Sequence, residues 1–365
     1  MKIVADQNMP LAEELFASFG QVLLLPGREI TAADLIDADV LLVRSVTQVN
    51  RQLLEHSKIK FVGSATIGTD HIDTAYLHSA GIEFAHAPGC NAEAVVQYDL
   101  SVMCRLMPDW QTKTVGIVGC GNVGGRLYRR LSDLGVNCRV YDPFLTSDLV
   151  ADIGSFDQLY SCDIICLHTP ITKNTEFPTH HLFDHEVLLK LKPDALLINA
   201  GRGAVVDNKA LLACLESGSR LQVALDVWES EPQLDLSLMA LVTLATPHIA
   251  GYSLEGKTNG TQMVFDAFLQ SQGKSAQQLQ KSEVKCQALG DRASLEEAIL
   301  LSYDVCEDDL RMRAALADLV TAEAVGLAFD QLRKTYPVRR EFSFYSVSSE
   351  DKNFKRLGFS LSSTS

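Results

Sequence analysis

The sequence predicts an α/β protein built on doubly wound parallel sheets, followed by a smaller α+β unit at the C-terminus. Three observations carry this. Over the first ninety residues, short apolar segments alternate with helix-like ones, the pattern of a parallel sheet with helical crossovers. From Thr114 a second series of the same kind begins. After about Ser275 the alternation gives way to long amphipathic helical stretches and one strand-like segment.

In the first series KIVAD, QVLLL, DVLLV, IKFVG and IEFAH read as strands. NMPLAEELFASFG, ITAADLIDA, VNRQLLEHS and DTAYLHSAG read as the helices or turns between them. They make a first domain over residues 1–93. NAEAVVQYDLSVMCRLM is a long helical pattern with an acid in its first turn, able to bridge two domains. The second series, TVGIVG, CRVYD, DIICLH, ALLINA, QVALDV and VTLATP, fills residues 94–253. LEGKTNGTQMVFDAFLQSQ is a helix that returns to the first domain, so residues 254–275 complete it. SAQQLQKSEVK is polar and linker-like. SLEEAILLSYDVCEDDLRMRAAL and LVTAEAVGLAFDQLRKTY are helical, REFSFYSVS alternates like a strand, and SLSSTS is expected to be disordered. Residues 276–365 thus form the third unit.

Composition excludes some classes. The 365 residues are 47% hydrophobic, ordinary for a soluble globular chain. A net charge of −14 argues against nucleic acid or an anionic membrane as a general partner. The start, MKIVADQNMP, enters a strand directly and lacks the apolar core of a signal peptide. No apolar run reaches bilayer length. Nine cysteines lie scattered without a CxxC pair, which fits free thiols in a reducing cytoplasm better than disulfides or a metal site. A small-molecule ligand remains, and no metal is expected.

VGIVGCGNVG, at 115–124, is the most specific stretch. A short apolar run leads into Gly119-x-Gly121-x-x-Gly124 and then into a helical pattern. The next strand ends at Asp142, eighteen residues past Gly124. Strand, glycine turn, helix and acid-tipped strand form the fingerprint of a Rossmann-type dinucleotide domain. Gly119 permits the turn, Gly121 leaves room for a pyrophosphate, and Gly124 lets the helix pack on the strand. The helix N-terminus, around Asn122 and Val123, offers N–H groups to the phosphates. Asp142 accepts from ribose hydroxyls and repels a 2′-phosphate; no arginine follows it, so NAD is favoured over NADP.

Three segments fall just past strand ends, where doubly wound sheets bind ligands: INAGRGAVVDNKAL with Arg202, ALDVWESEP with Asp226 and Glu231, and TLATPHIAGYS with His248. The set suits hydride transfer at a carbon bearing a hydroxyl. Arg202 forks onto a substrate carboxylate. His248 takes the hydroxyl proton. Glu231 holds the imidazole and favours its protonated form. Arg44 and Ser45 follow the strand DVLLV, where the arginine can serve a phosphate, and the loop Ser64-Ala65-Thr66 offers small residues and N–H groups to a carboxylate. Cys120 lies in the glycine loop without an evident base.

The order GCGNVG, YDP, HTPITKNT, NAGRGAVVD, ALDVWESEP, TPHIAGYS resembles the D-isomer-specific 2-hydroxyacid dehydrogenase family over about residues 60–255. The resemblance implies a Rossmann-type cofactor domain inserted in an α/β substrate domain. Position by position, it puts the catalytic arginine on Arg202, the glutamate on Glu231 and not Glu229, and the acid/base histidine on His248. It gives Asp142 the adenosine-ribose role. Thr169, Ala200 and Asp226 line the nicotinamide side, with Gly251 close by. VADQNMP, LLVRSVTQVN, GSATIGTDHID, IAGYSLEGKTNGT and YPVRREF extend the similarity to a branch acting on 4-phospho-D-erythronate. That branch yields 3-hydroxy-2-oxo-4-phosphooxybutanoate in pyridoxal 5′-phosphate (vitamin B6) biosynthesis. It implies substrate contacts from Ser45, Thr66 and Tyr252, and a C-terminal domain that closes a homodimer. The polar tail after Val347 departs from that picture. Two other readings compete: a dehydrogenase of another hydroxy acid such as phosphoglycerate, and an NAD(H)-sensing binding protein. The second tolerates loss of the Arg, Glu or His, and all three are present. Arg339 and Arg340 either balance charge at a dimer surface or reach a partner's cleft.

Overall fold

The computed structural model describes residues 1–275, 286–289 and 293–361. By contacts the chain divides into two compact units, residues 1–91 with 253–284, and residues 92–252 with 285–365. The linker-like 276–285 lies outside the described residues.

The first unit holds five parallel strands: β1 (Lys2–Asp6), β2 (Gln21–Leu25), β3 (Val40–Val43), β4 (Phe61–Ser64) and β5 (Glu83–His86). Their spatial order is β2-β1-β3-β4-β5. Central β3 and β4 are buried on both faces, as continuous apolar runs in a parallel sheet require. One face packs on Phe16 and on Val264, Phe265 and Phe268 of the helix Leu254–Ser271. The returning helix thus belongs to this unit, and Ser253 caps it by accepting from the Gly256 N–H at 2.8 Å.

The second unit begins with the helix Ala92–Leu106. Its parallel sheet holds β6 (Thr114–Val118), β7 (Asn137–Tyr141), β8 (Ile164–Leu167), β9 (Leu196–Asn199), β10 (Gln222–Leu225) and β11 (Leu244–Ala245). The order β11-β10-β9-β8-β6-β7 reverses direction between β6 and β8. A crevice opens outside the carboxyl ends of strands at such a switch point.

The C-terminal residues share the core of this unit. Leu289, Ile299, Tyr303, Phe342 and Val347 bury against one face with Val95, Ile117 and Leu131. Met312, Leu316, Val325 and Phe329 join the other with Leu225 and Leu238. The short edge strand β11 is covered as well. Asp309 accepts from the Ala245 N–H at 2.7 Å, while Arg313 donates to the Met239 and Val242 carbonyls. The Asp309 bond occupies a ladder group an open edge would leave unpaired, and the Arg313 bonds take carbonyls at the end of the helix Leu236–Leu241 that leads into the strand.

Three expectations are corrected here. The stretch 294–316 is two helices, Leu295–Ser302 and Val305–Leu316, because Tyr303 is extended and Asp304 caps the second through the Cys306 N–H. REFSFYSVS is strand only at β13 (Tyr345–Val347), after a tight turn at Phe342–Phe344. The tail is ordered to Leu361: the helix Lys352–Leu357 buries Phe354 and Leu357. β13 pairs with β12 (Gln287–Ala288) on one side and β14 (Ser360–Leu361) on the other. SLSSTS was expected to be disordered, yet its first two residues are that strand; 362–365 lie outside the described residues.

Candidate active site

The glycine loop leaves β6 at the switch point. Gly119 has φ +85°, which side chains rarely adopt, and a Cβ there would come within 2.8 Å of Thr169 beyond β8. A Cβ on Gly124 would come within 1.9 Å of the Gly119 carbonyl oxygen, so close helix–strand packing requires glycine. Gly121 differs: it is exposed, and a Cβ on it would meet nothing within 4 Å. Nothing in the chain's own packing asks for glycine there. The helix Gly124–Asp133 follows with no side-chain cap from Val123, and Asn122 is exposed beside it. Such an end presents N–H groups and a positive dipole to an anion.

Asp142, past β7, accepts from the Cys120 N–H at 2.9 Å and the Phe144 N–H at 3.1 Å. The carboxylate is thereby fixed at the loop, and ionised oxygens retain capacity for hydroxyl donors. The Thr169 hydroxyl is buried without a partner. Open space at Gly121 and this orphaned hydroxyl fit a dinucleotide. Burial, then Asp142, pushes the Cys120 thiol pKa up, which disfavours its thiolate.

His248 and Glu231 come from two loops. His248 Nδ1 lies 2.5 Å from Glu231 Oε1, which leaves Nε2 for another partner. Glu229 turns elsewhere, onto His181 Nε2 at 2.7 Å. Burial pushes the Glu231 carboxyl up, but His248, its hydrogen bond, Arg333 and the Trp228 N–H outweigh this and hold it below its ordinary value. His248 sits at φ +56°. Asp226, buried behind it, holds that turn: its carboxylate accepts from the Ile249 and Ala250 N–H groups at 2.8 and 2.9 Å and from the Thr246 hydroxyl at 2.7 Å. Gly251 and Tyr252 continue the same turn, both half-buried.

Arg202 follows β9 after Ala200, and Asn199 shapes its loop. The buried Asn199 amide donates to the Arg202 carbonyl at 3.0 Å and accepts from the Gly201 N–H at 3.2 Å. In the first unit, Arg44 and Ser45 stand just past β3 and Thr66 just past β4. The Ser64 hydroxyl bonds Thr66 Oγ1 at 2.7 Å and His71 Nε2 at 3.0 Å, fixing that loop.

Sequence reasoning missed Arg333, Asn199 and His71. The signal for Arg333 was its phase: it follows Val325 and Phe329 at four-residue steps on an apolar helix face. Arg339 was misplaced. It is buried in its own chain, where it donates to the Ala94 carbonyl at 3.0 Å and to those of Ile249 and Ala250, with the Tyr303 ring 4.2 Å away. It reaches no surface. Arg340 stacks 3.6 Å from the Phe344 ring.

A dinucleotide fold with an Arg–Glu–His set at its strand ends defines the class. The family model described as D-isomer specific 2-hydroxyacid dehydrogenase, NAD binding domain, matches residues 97–250. Another, described as a domain of unknown function, matches residues 277–358. The D-lactate dehydrogenase of Aquifex aeolicus, solved with NAD and lactic acid, shares the fold at TM-score 0.64 and 23% identity, over 75% of this chain and 96% of that one. The erythronate-4-phosphate dehydrogenase of Teredinibacter turnerae is 50% identical over 374 aligned residues, covering 100% of both chains. That of Saccharophagus degradans is 47% identical over 95% of this chain and 94% of its own. The chain belongs to the erythronate-4-phosphate dehydrogenase family, within the D-isomer-specific 2-hydroxyacid dehydrogenases.

Proposed function

We propose that the chain oxidises 4-phospho-D-erythronate at C2 to 3-hydroxy-2-oxo-4-phosphooxybutanoate, an NAD-dependent step of pyridoxal 5′-phosphate biosynthesis. The observation that carries this is the 2.5 Å contact between His248 and Glu231 in the unit that holds the glycine loop, in a chain with full-length relatives of that name. NAD, when bound, supplies the hydride acceptor. His248 Nε2 takes the C2 hydroxyl proton as the C2–H bond breaks and its electron pair leaves with the hydrogen. Glu231 stabilises the imidazolium that forms. Arg202 forks onto the C1 carboxylate and steadies the developing carbonyl. Gly119, Gly121, Asn122, Val123 and Gly124 seat the pyrophosphate, and Asp142 reads the ribose. Thr169, Ala200, Asp226 and Gly251 frame the nicotinamide. Arg44, Ser45, Thr66 and Tyr252 bind the rest of the substrate.

On this reading residues 1–93 with 254–275 are the substrate domain, 94–253 the NAD-binding domain and 276–365 the dimerisation domain. Exposed Val320 (94%) and Leu327 (67%), with Leu301, Leu310 and Val338, support a homodimer through the last of these. The nine free cysteines support a cytoplasmic setting. No helix among the described residues is long and apolar enough to cross a membrane.

Substrate deuterated at C2 tests the chemistry. Deuterium recovered in the reduced nicotinamide, with the 2-oxo acid trapped as product, is expected. Reduction of NAD without the label would overturn it.

A further inference from the structure

The C-terminal segment carries a cation that the steps above leave unused. Arg333 lies in the last turn of the helix Ala322–Lys334. Val325 and Phe329, two turns and one turn earlier on the same face, are buried in the core, so the helix turns Arg333 inward with them. Its guanidinium carbon lies 5.7 Å from the Tyr252 ring centre and 5.9 Å from that of Phe329. Its Nε is buried and donates to nothing. Among the described residues no carboxylate forms an ion pair with it. Glu231, whose charge it feels, is already engaged by His248.

A guanidinium brought inward without a carboxylate partner is costly to keep. A leucine at that point of the apolar face would pack without the cost. Aromatic rings at Tyr252 and Phe329 orient the group but do not neutralise it. Its neighbours are Tyr252, the residue that follows Gly251, and Glu231, the partner of His248, so the guanidinium lies beside the proposed acid/base pair. The proposed substrate carries two anions. The C1 carboxylate adjoins the reacting carbon and falls to Arg202; the phosphate lies two carbons beyond it, and its charge and three oxygens leave room for a second cation besides Arg44.

We propose that Arg333 is a specificity-determining residue that binds the substrate's 4-phosphate, supplied in cis by the segment that sequence patterning reads only as a dimerisation unit. The proposal rests on the substrate reading above. A fork-shaped donor suits a phosphate, and a helix rooted in the core fixes it without a mobile stem.

Arg333→Leu and Arg333→Lys test it, with folding followed by melting temperature and cofactor affinity by NAD titration. The KM for 4-phosphoerythronate is expected to rise more than about tenfold in Arg333→Leu, the scale of a charge-assisted contact. The KM for unphosphorylated erythronate should change less than about twofold, with NAD affinity kept, and Arg333→Lys should recover part of the loss. Equal losses on both substrates with a displaced pH–rate profile would mean that Arg333 serves only Glu231, and would overturn the proposal. Titration with inorganic phosphate separates this from the substrate reading. Wild type inactive on 4-phosphoerythronate sinks that reading, whereas equal phosphate affinity in wild type and Arg333→Leu sinks the role of Arg333.

Discussion

His248 adopts φ +56°, where a histidine pays a steric cost unless its surroundings hold it. The surroundings do: Asp226 takes three donors from residues 246–250, and Arg339 takes the carbonyls of residues 249 and 250. The strain is therefore local and the imidazole stays aimed. His248→Ala and Arg202→Ala should each lower kcat by about 10²–10⁴-fold with NAD affinity nearly unchanged; near wild-type turnover in steady-state assays would remove them from the mechanism. Glu231 also fixes a pH dependence. Its folded pKa lies below its ordinary 4.5, so the ionised form contributes stability above that value. This contribution is lost as pH falls through the depressed folded value. Wild type should thus lose melting temperature relative to Glu231→Gln on acidification through about 4.5 and below. Parallel curves would show that the carboxylate gains nothing from His248. That Arg202, Glu231 and His248 lie past strand ends was legible because each sits in a motif that follows an apolar run. Asp226's grip on the turn was not, because its partners lie twenty and more residues on and nothing in composition links them.

Between strand and helix, the glycine loop separates two requirements that sequence alone merges. Gly124 is needed by the fold, since a Cβ there meets the Gly119 carbonyl. Gly121 is not needed by the fold, since a Cβ there meets nothing, and its proposed role is to seat the pyrophosphate. Gly124→Ala should lower the melting temperature of the apo protein. Gly121→Ala should leave it unchanged yet weaken NAD in titration; the reverse ranking would refute this division. Parallel strands were easy to read as continuous apolar runs. Helix boundaries in the C-terminal segment were harder. Tyr303 and Asp304 interrupt a pattern whose apolar period runs on, because a cap and a turn of extended backbone leave that period intact. The Lys352–Leu357 helix was invisible since only Phe354 and Leu357 mark its apolar side.

Across the whole chain, the C-terminal residues matter more to the core than composition suggests. They bury against both faces of the six-stranded sheet and cover its edge. Truncation after Gly273 would strip that core, so surface substitution is the cleaner test of assembly. Val320→Asp with Leu327→Asp should give a monomer in light scattering with a nearly unchanged melting temperature. A dimer of that variant would place the interface elsewhere. Two wound units and a returning helix were readable from alternation. The packing of the C-terminal segment on the second unit was not, because its apolar faces look alike whether they meet the same chain or another. The most direct measurement of the central claim is the initial rate of NADH formation with 4-phosphoerythronate, erythronate and 3-phosphoglycerate side by side. A kcat/KM for 4-phosphoerythronate at least about a hundredfold above the other two is expected, the scale of two charged contacts on the phosphate. Equal rates on erythronate, or preference for 3-phosphoglycerate, would contradict it.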